Sequence, residues 1–181
     1  MKKKVGIFGG TFDPVHFGHL NLAISMMEAC ALEQVFFVPA FQSPFKGNAP
    51  PSASADHRRA MLQLAIAPIK SFKLIDWELQ QEGPSYAIDT VRKLAKDSSL
   101  ELHYLLGQDH QATFHRWKNA DELARLAPPL FASREGEGGV AIPRFEISST
   151  KVRERLFRHQ YCGHLIPAPV LEYIQHHQLY E

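Results

Sequence analysis

Short apolar runs alternate along the chain with stretches whose apolar residues recur every three or four positions. The runs Lys4–Phe8, Val35–Pro39, Phe72–Ile75, Leu102–Leu106 and Leu130–Ala132 are rich in β-branched and aromatic residues and predict strands. Between them, Gly18–Cys30 carries one apolar helical face made of Leu20, Ala23, Ile24 and Met27. A second helix is predicted from an Asp56 cap to Ala67, with Met61, Leu62, Ala65 and Ile66 inward. Ser85 is placed to cap a third, running to about Lys96, and Asp121–Ala127, Ser149–Arg158 and Pro169–His177 complete the set. Strands alternating with helices at this spacing predict an α/β fold with a mostly parallel sheet. No internal repeat or composition break divides the chain, so residues 1–181 read as a single domain. The segment Phe41–Ala55, rich in Pro, Ser, Ala and Gly, is long for a loop in a compact domain, and Gly136–Gly139 reads as a second flexible stretch.

Composition narrows the class without naming it. The 181 residues are 45% hydrophobic and 22% charged, with a formal net charge of +1, as expected of a soluble globular protein. That charge argues against a broad surface for nucleic acid or membrane, but leaves room for a small basic pocket. Two cysteines, Cys30 and Cys162, give no disulfide framework and fit a reducing cytoplasm. The lysines at positions 2–4 precede an apolar run that stops at Gly9-Gly10, too short for a signal peptide or a membrane span. A cytoplasmic location is therefore expected.

In parallel α/β sheets ligands bind beyond the carboxyl ends of the strands, and the candidate chemistry falls there. Gly9-Gly10-Thr11-Phe12-Asp13-Pro14-Val15-His16-Phe17-Gly18-His19 follows the first strand and opens the first helix. The two glycines let backbone N–H groups approach an anion, and a helix start adds unpaired donors and partial positive charge. His16 and His19 lie on one face of that start, where imidazoles can donate to oxygens whose charge grows in a transition state. The competing reading is a zinc pair. Zinc needs further ligands, and Cys162-x-His164 offers no matching spacing, so no metal site is expected. Ile147-Ser148-Ser149-Thr150-Lys151-Val152-Arg153 opens another helix with hydroxyls, free N–H groups and an arginine one turn on, a second anion site or an ordinary Ser cap.

The segment Gly9–His19 resembles the His-x-Gly-His signature of the nucleotidyltransferase superfamily, and in its full form is similar to bacterial nicotinate-nucleotide adenylyltransferases. The likeness extends from residue 5 to residue 180 and takes in several further elements. Ile147–Arg153 resembles the family's Ile-Ser-x-Thr-x-x-Arg element. Gly107-Gln108-Asp109 matches its Gly-x-Asp, with Trp117 following, and Pro84-Ser85-Tyr86-Ala87-Ile88-Asp89-Thr90 resembles its Pro-Ser-Tyr-Thr helix start. The resemblance implies a Rossmann-like, doubly wound, mostly parallel sheet with helices on both faces and a small helical C-terminal part. It implies adenylyl transfer from ATP to nicotinate mononucleotide, giving deamido-NAD and pyrophosphate. Gly9, Gly10, Thr11, Phe12, His16, His19, Gly107, Asp109, Ser148, Ser149, Thr150 and Arg153 are the implied ATP-binding residues, with His16, His19 and Arg153 catalytic. Lys46, Tyr86, Thr90, Asp109 and Trp117 are implied for the mononucleotide, Trp117 stacking on the pyridine ring. Magnesium is expected to ride on the ATP phosphates. Replacing either histidine is expected to lower turnover about two to three decades and barely to affect folding.

Two departures from the family pattern stand out. Phe45 replaces a histidine in the loop Ser43-Pro44-Phe45-Lys46, and Ala87 replaces a threonine whose hydroxyl would reach the nicotinate carboxylate. A related transferase with another acceptor, nicotinamide mononucleotide or phosphopantetheine, stays open, as does a non-catalytic nucleotide-binding module on the same fold. The oligomeric state is not legible.

Overall fold

The computed structural model describes residues 2–45, 50–133, 138–143 and 146–181. The elements follow in the order β1 (Lys3–Gly10), α1 (Phe17–Ala29), β2 (Gln34–Pro39), α2 (Ala55–Ile66), β3 (Phe72–Leu74), α3 (Ala87–Leu94) and β4 (Leu100–Gly107). They continue with α4 (Ala120–Leu126), β5 (Pro129–Ser133), β6 (Val140–Ala141), α5 (Ser149–Phe157) and α6 (Ala168–His176). The strands form one sheet in the order β3-β2-β1-β4-β5-β6, and every neighbouring pair is parallel.

Alternation along the strands supplies two cores, one on each face. Val5, Ile7, Phe36, Val38, Leu102, Tyr104 and Leu106 point to the side covered by α3 and α4, where Ile88, Val91, Leu94 and Leu123 meet them. Phe8, Val35, Phe37, Phe72 and Leu105 point to the opposite side, covered by α1, α2, α5 and α6. Because side chains alternate with a period of two, runs that look uniformly apolar serve both cores at once. The expected doubly wound arrangement is therefore present, with α5 and α6 as the helical C-terminal part.

The winding fixes where a ligand can sit. From β1 the chain passes to β2 and β3 on one side, then returns to place β4 on the other side of β1. A crevice opens at such a switch point, beyond the carboxyl ends of the two strands. Here those ends are Gly9-Gly10 and Gly107.

Several local expectations are corrected. Gly9 and Gly10 do not follow the strand. They are its last two residues, paired in register with Val38 and Pro39. The cap of α2 is Ser54, whose hydroxyl accepts from the His57 N–H at 3.3 Å, so Asp56 sits inside the first turn. Ser85 does not cap α3. That position is held by Tyr86, and the Ser85 hydroxyl accepts the Phe41 N–H at 2.9 Å. A cap residue next to a loop is open to whichever backbone donor comes nearest, and tertiary packing made the choice. β6 was not anticipated, because two residues are too few to show a period. Part of the Gly136–Gly139 stretch and of the Phe41–Ala55 segment lies outside the described residues.

Candidate active site

The end of β1 is shaped by what cannot fit there. A Cβ on Gly9 would collide with the hydroxyl of Tyr104, which packs under it from β4. The chain then turns through Phe12, whose φ of 49° turns its ring inward among Phe8, Phe37 and His19. A cis peptide joins Asp13 to Pro14.

His16 is the N-cap of α1, and His19 is its third helical residue. The Nδ1 of His16 accepts from the His19 N–H at 3.3 Å, and the Nδ1 of His19 accepts from the His16 N–H at 3.2 Å. This is a capping box in which two imidazoles replace the usual hydroxyl and carboxylate. The rings stack with centroids 3.6 Å apart, over Gly18, where a Cβ would lie 3.0 Å from the His16 ring. The geometry has a chemical consequence. An Nδ1 that accepts carries no proton, so each ring carries its proton on Nε2, as a donor. Burial pushes the His16 imidazole down to about 4, partly offset by its backbone hydrogen bond. It is neutral at pH 7.

Behind the histidines lies a buried ionic network. One Asp13 carboxylate oxygen accepts the Ala53 N–H at 3.1 Å and the Tyr180 hydroxyl at 2.7 Å, and the other accepts the Ser52 N–H at 2.7 Å. Arg153 donates through Nη1 to the Asp13 carbonyl at 2.6 Å, and the same nitrogen lies 4.0 Å from the Asp13 carboxylate. Arg58, almost fully buried, donates to the carbonyls of Thr11, Ala40, Phe41 and Ala53. Its guanidinium is pushed below its ordinary range by burial, against the attraction of Asp13. Together these groups clamp the turn after β1 to α2, to α5 and to the end of the chain.

Two clefts flank the carboxyl ends of β1 and β4. The first, about 680 Å³, is lined by Gly9, Gly10, His16, His19, Gly107 and Asp109 on one wall and by residues 146–151 on the other. There α5 presents its first turn, capped by Ser148, which accepts the Lys151 N–H at 3.3 Å. Ser149 also lines it, although its hydroxyl is committed to the Pro14 carbonyl at 2.9 Å. Such a wall of backbone donors, helix start and Nε2–H groups suits a phosphate chain.

The second cleft, about 580 Å³, is lined by Tyr86, Trp117, Phe45, Tyr104, Glu78 and Lys118 among others. The rings of Phe45 and Trp117 lie 5.1 Å apart, and Tyr104 and His110 meet Trp117 edge-on. The Lys118 ammonium sits 4.1 Å above the Tyr86 ring and 3.3 Å from Asp89. Glu78 is buried beside Thr90, whose hydroxyl donates to it at 2.6 Å. Burial raises its pKa, and hydrogen bonds from Thr90 and Ser85 oppose the rise.

Nine of the twelve residues expected around ATP line the first cleft: Gly9, Gly10, His16, His19, Gly107, Asp109, Ser148, Ser149 and Thr150. Thr11 lines the second cleft instead, and Phe12 is in the core, leaving only its backbone for a ligand. Arg153 lines neither cleft and is held by Asp13 and, through Nη2, by Thr150 at 3.4 Å. Of the mononucleotide set, Tyr86 and Trp117 line the second cleft, Asp109 lines the first, and Thr90 lines neither. Thr90 is turned to Glu78 because α3 buries it on its inner face. Lys46 lies outside the described residues. Asp13, Arg58, Glu78 and Tyr180 had no assigned role. Asp13 stood within the first motif, and nothing in spacing ties it to residues 39 to 167 positions away.

The two histidines also have a place in the local fold. Each caps the other's backbone, so removing His16 removes the cap of α1.

A parallel sheet with anion donors at its switch point defines a nucleotide-handling α/β protein, and the cytidylyltransferase-like family model matches residues 7–155. A protein of Oceanobacillus iheyensis named probable nicotinate-nucleotide adenylyltransferase is 38% identical over 187 residues, spanning 98% of this chain and 97% of its own. One of the same name from Methylacidiphilum infernorum is 37% identical, spanning 98% and 92%. The chain belongs to the nicotinate-nucleotide adenylyltransferase family within the cytidylyltransferase-like proteins. Its fold is shared with Plasmodium falciparum nicotinic acid mononucleotide adenylyltransferase complexed with NaAD, at a TM-score of 0.77 and 19% identity over 98% of this chain and 97% of that one.

Proposed function

We propose that this chain transfers the adenylyl group of ATP to nicotinate mononucleotide, forming deamido-NAD and pyrophosphate. The observation that carries the proposal is the pair of clefts meeting at the carboxyl ends of β1 and β4, one rich in anion donors and the other aromatic. In this reading ATP lies in the first cleft and the pyridine ring lies against Trp117 in the second. An oxygen of the acceptor phosphate attacks the α-phosphorus in line. That P–O bond forms as the bond from the α-phosphorus to its bridging oxygen breaks, and the electron pair leaves with pyrophosphate.

The nucleophile is already an anion, so no general base is needed, and catalysis rests on positioning and charge stabilisation. The Nε2–H groups of His16 and His19 donate to the α-phosphate and the leaving oxygen. The first turn of α5, with Ser148, Ser149 and Thr150, holds the departing pyrophosphate. Arg153 reaches it by exchanging its Asp13 carbonyl contact for phosphate. Tyr86 and the start of α3 face the nicotinate carboxylate. Magnesium would be carried in by the triphosphate and would supply charge neutralisation there. Among the described residues no cluster of three or more His, Cys, Asp or Glu side chains is arranged to hold a metal. No helix among those residues is long and apolar enough to cross a membrane.

The test is pyrophosphate release from ATP and magnesium with nicotinate mononucleotide, nicotinamide mononucleotide or phosphopantetheine as acceptor. Strong release with the nicotinate compound alone is expected. Preference for another acceptor would overturn the substrate. ATP binding with no release from any of the three would overturn the reaction.

A further inference from the structure

The two clefts share five lining residues: Phe8, Gly9, Gly10, Gly107 and His110. Four of them bring no polar side chain. At this junction the acceptor phosphate must come to within about 3–3.5 Å of the α-phosphorus if the reaction is to occur. A phosphate drawn into a partly enclosed cleft needs donors to replace its water. Among the described residues, the imidazole of His110 is the only side chain on the shared wall that can supply one.

Its placement bears this out from both sides. The ring stands edge-on to Trp117, with centroids 5.7 Å apart, and so borders the pyridine cleft. Its Nε2 lies 3.8 Å from a carboxylate oxygen of Asp109, which lines the ATP cleft. Among the described residues, the other basic side chains of the second cleft are Arg116 and Lys118, and Lys118 is engaged by Asp89 and Tyr86. The short 3₁₀ turn Gln108–His110, directly after β4, places His110 at the mouth between the clefts.

We propose that His110 binds the phosphate of the acceptor mononucleotide and holds it against the α-phosphate of ATP. The proposal rests on the function set out above and adds a catalytic residue to it. A charge-assisted hydrogen bond of this kind is worth about ten- to hundred-fold in affinity.

The test compares nicotinate mononucleotide with nicotinate riboside, which lacks the phosphate, by calorimetric titration of the full chain. His110→Ala should weaken mononucleotide binding about tenfold or more and leave riboside binding unchanged. His110→Gln, which keeps N–H donors, should recover part of the loss. Alongside this, kcat/KM for the mononucleotide should fall at least as far, with KM for ATP unchanged. Equal losses for both ligands would reduce His110 to a packing partner of Trp117 and overturn the proposal. So would an unchanged mononucleotide affinity in His110→Ala, or a phosphate-specific loss in Arg116→Ala alone. Because the primary reading is binding, wild-type protein that binds the mononucleotide without releasing pyrophosphate would defeat the reaction and still decide the role of His110.

Discussion

The two clefts are built in different ways. The anion donors of the first come from two short windows, Gly9–His19 and the helix start at residues 148–150, joined on the same lining by residues 107–110 beyond β4 and by residues 132–133 and 142–143. Its parts are pinned by buried contacts: the mutual histidine cap, the Asp13 carboxylate with its three donors, and Arg58 with its four carbonyls. The second is assembled from residues 8–11, 40, 43–45, 78, 85–87, 104–107, 110 and 116–118. Aromatic rings in contact make up much of its wall, beside the hydrogen-bonded side chains of Glu78 and Ser85. A donor site that must match a developing charge needs rigid geometry. An acceptor pocket made of several segments can change its preference through one or two contacts. Phe45 and Ala87, the departures from the family pattern, both line this second cleft.

If this contrast is right, the largest effects come from the first cleft. His19→Ala should lower turnover by about two to three decades, as for loss of one transition-state donor. His16→Ala should do the same and in addition cost about 1 kcal/mol of stability through the lost cap. His16→Asn, a good cap residue, should restore the stability and not the turnover. Thermal melts beside rate measurements separate the two contributions.

His16 also gives the first cleft a pH signature. Its pKa is about 4 in the folded protein, against an ordinary value of 6.5. Between those values the unfolded chain takes up a proton that the folded chain refuses, so stability falls as pH drops through the window. The contribution is intact above pH 6.5, and the loss reaches at most roughly 3 kcal/mol by pH 4. Denaturant melts across that range should show a shallower slope in His16→Asn than in the wild type.

In the second cleft, Trp117→Ala should raise KM for the acceptor about five- to hundred-fold through lost stacking, with KM for ATP unchanged. Tyr180→Phe tests the clamp behind the first cleft. It takes a hydroxyl donor from a buried carboxylate, so a loss of about 2 kcal/mol in stability and a several-fold fall in kcat are expected. Full stability with unchanged kcat would show that Asp13 does not need the chain end. The smallest effect is a gain: Ala87→Thr, adding a hydroxyl at the first position of α3, should tighten acceptor binding about two- to tenfold.

The same contrast explains what could be read in advance. Glycines at a strand end, two histidines three apart and a Ser-Thr helix start lie within short windows, so their gathering around one cleft was legible, while the mutual histidine cap was not. The sheet was legible too, because five of its six strands are apolar runs flanked by amphipathic helices. Asp13 bonded to Tyr180 and Thr90 bonded to Glu78 were not, since each pair is joined only by the folded chain. His110 escaped for a related reason. Its significance depends on two clefts sharing a wall, which no local spacing encodes. The expectation for Arg153 placed it at the right helix but missed its partner, because Asp13 satisfies it through a carbonyl as well as a charge.

The most direct test of the two-cleft account is a crystal structure of this chain with deamido-NAD bound. The account predicts the adenosine half beside His16, His19 and the start of α5, the pyridine ring on Trp117, and the bridging phosphates at the junction beside Gly9, Gly107 and His110. A dinucleotide lying wholly in one cleft, or with its halves exchanged, would contradict it.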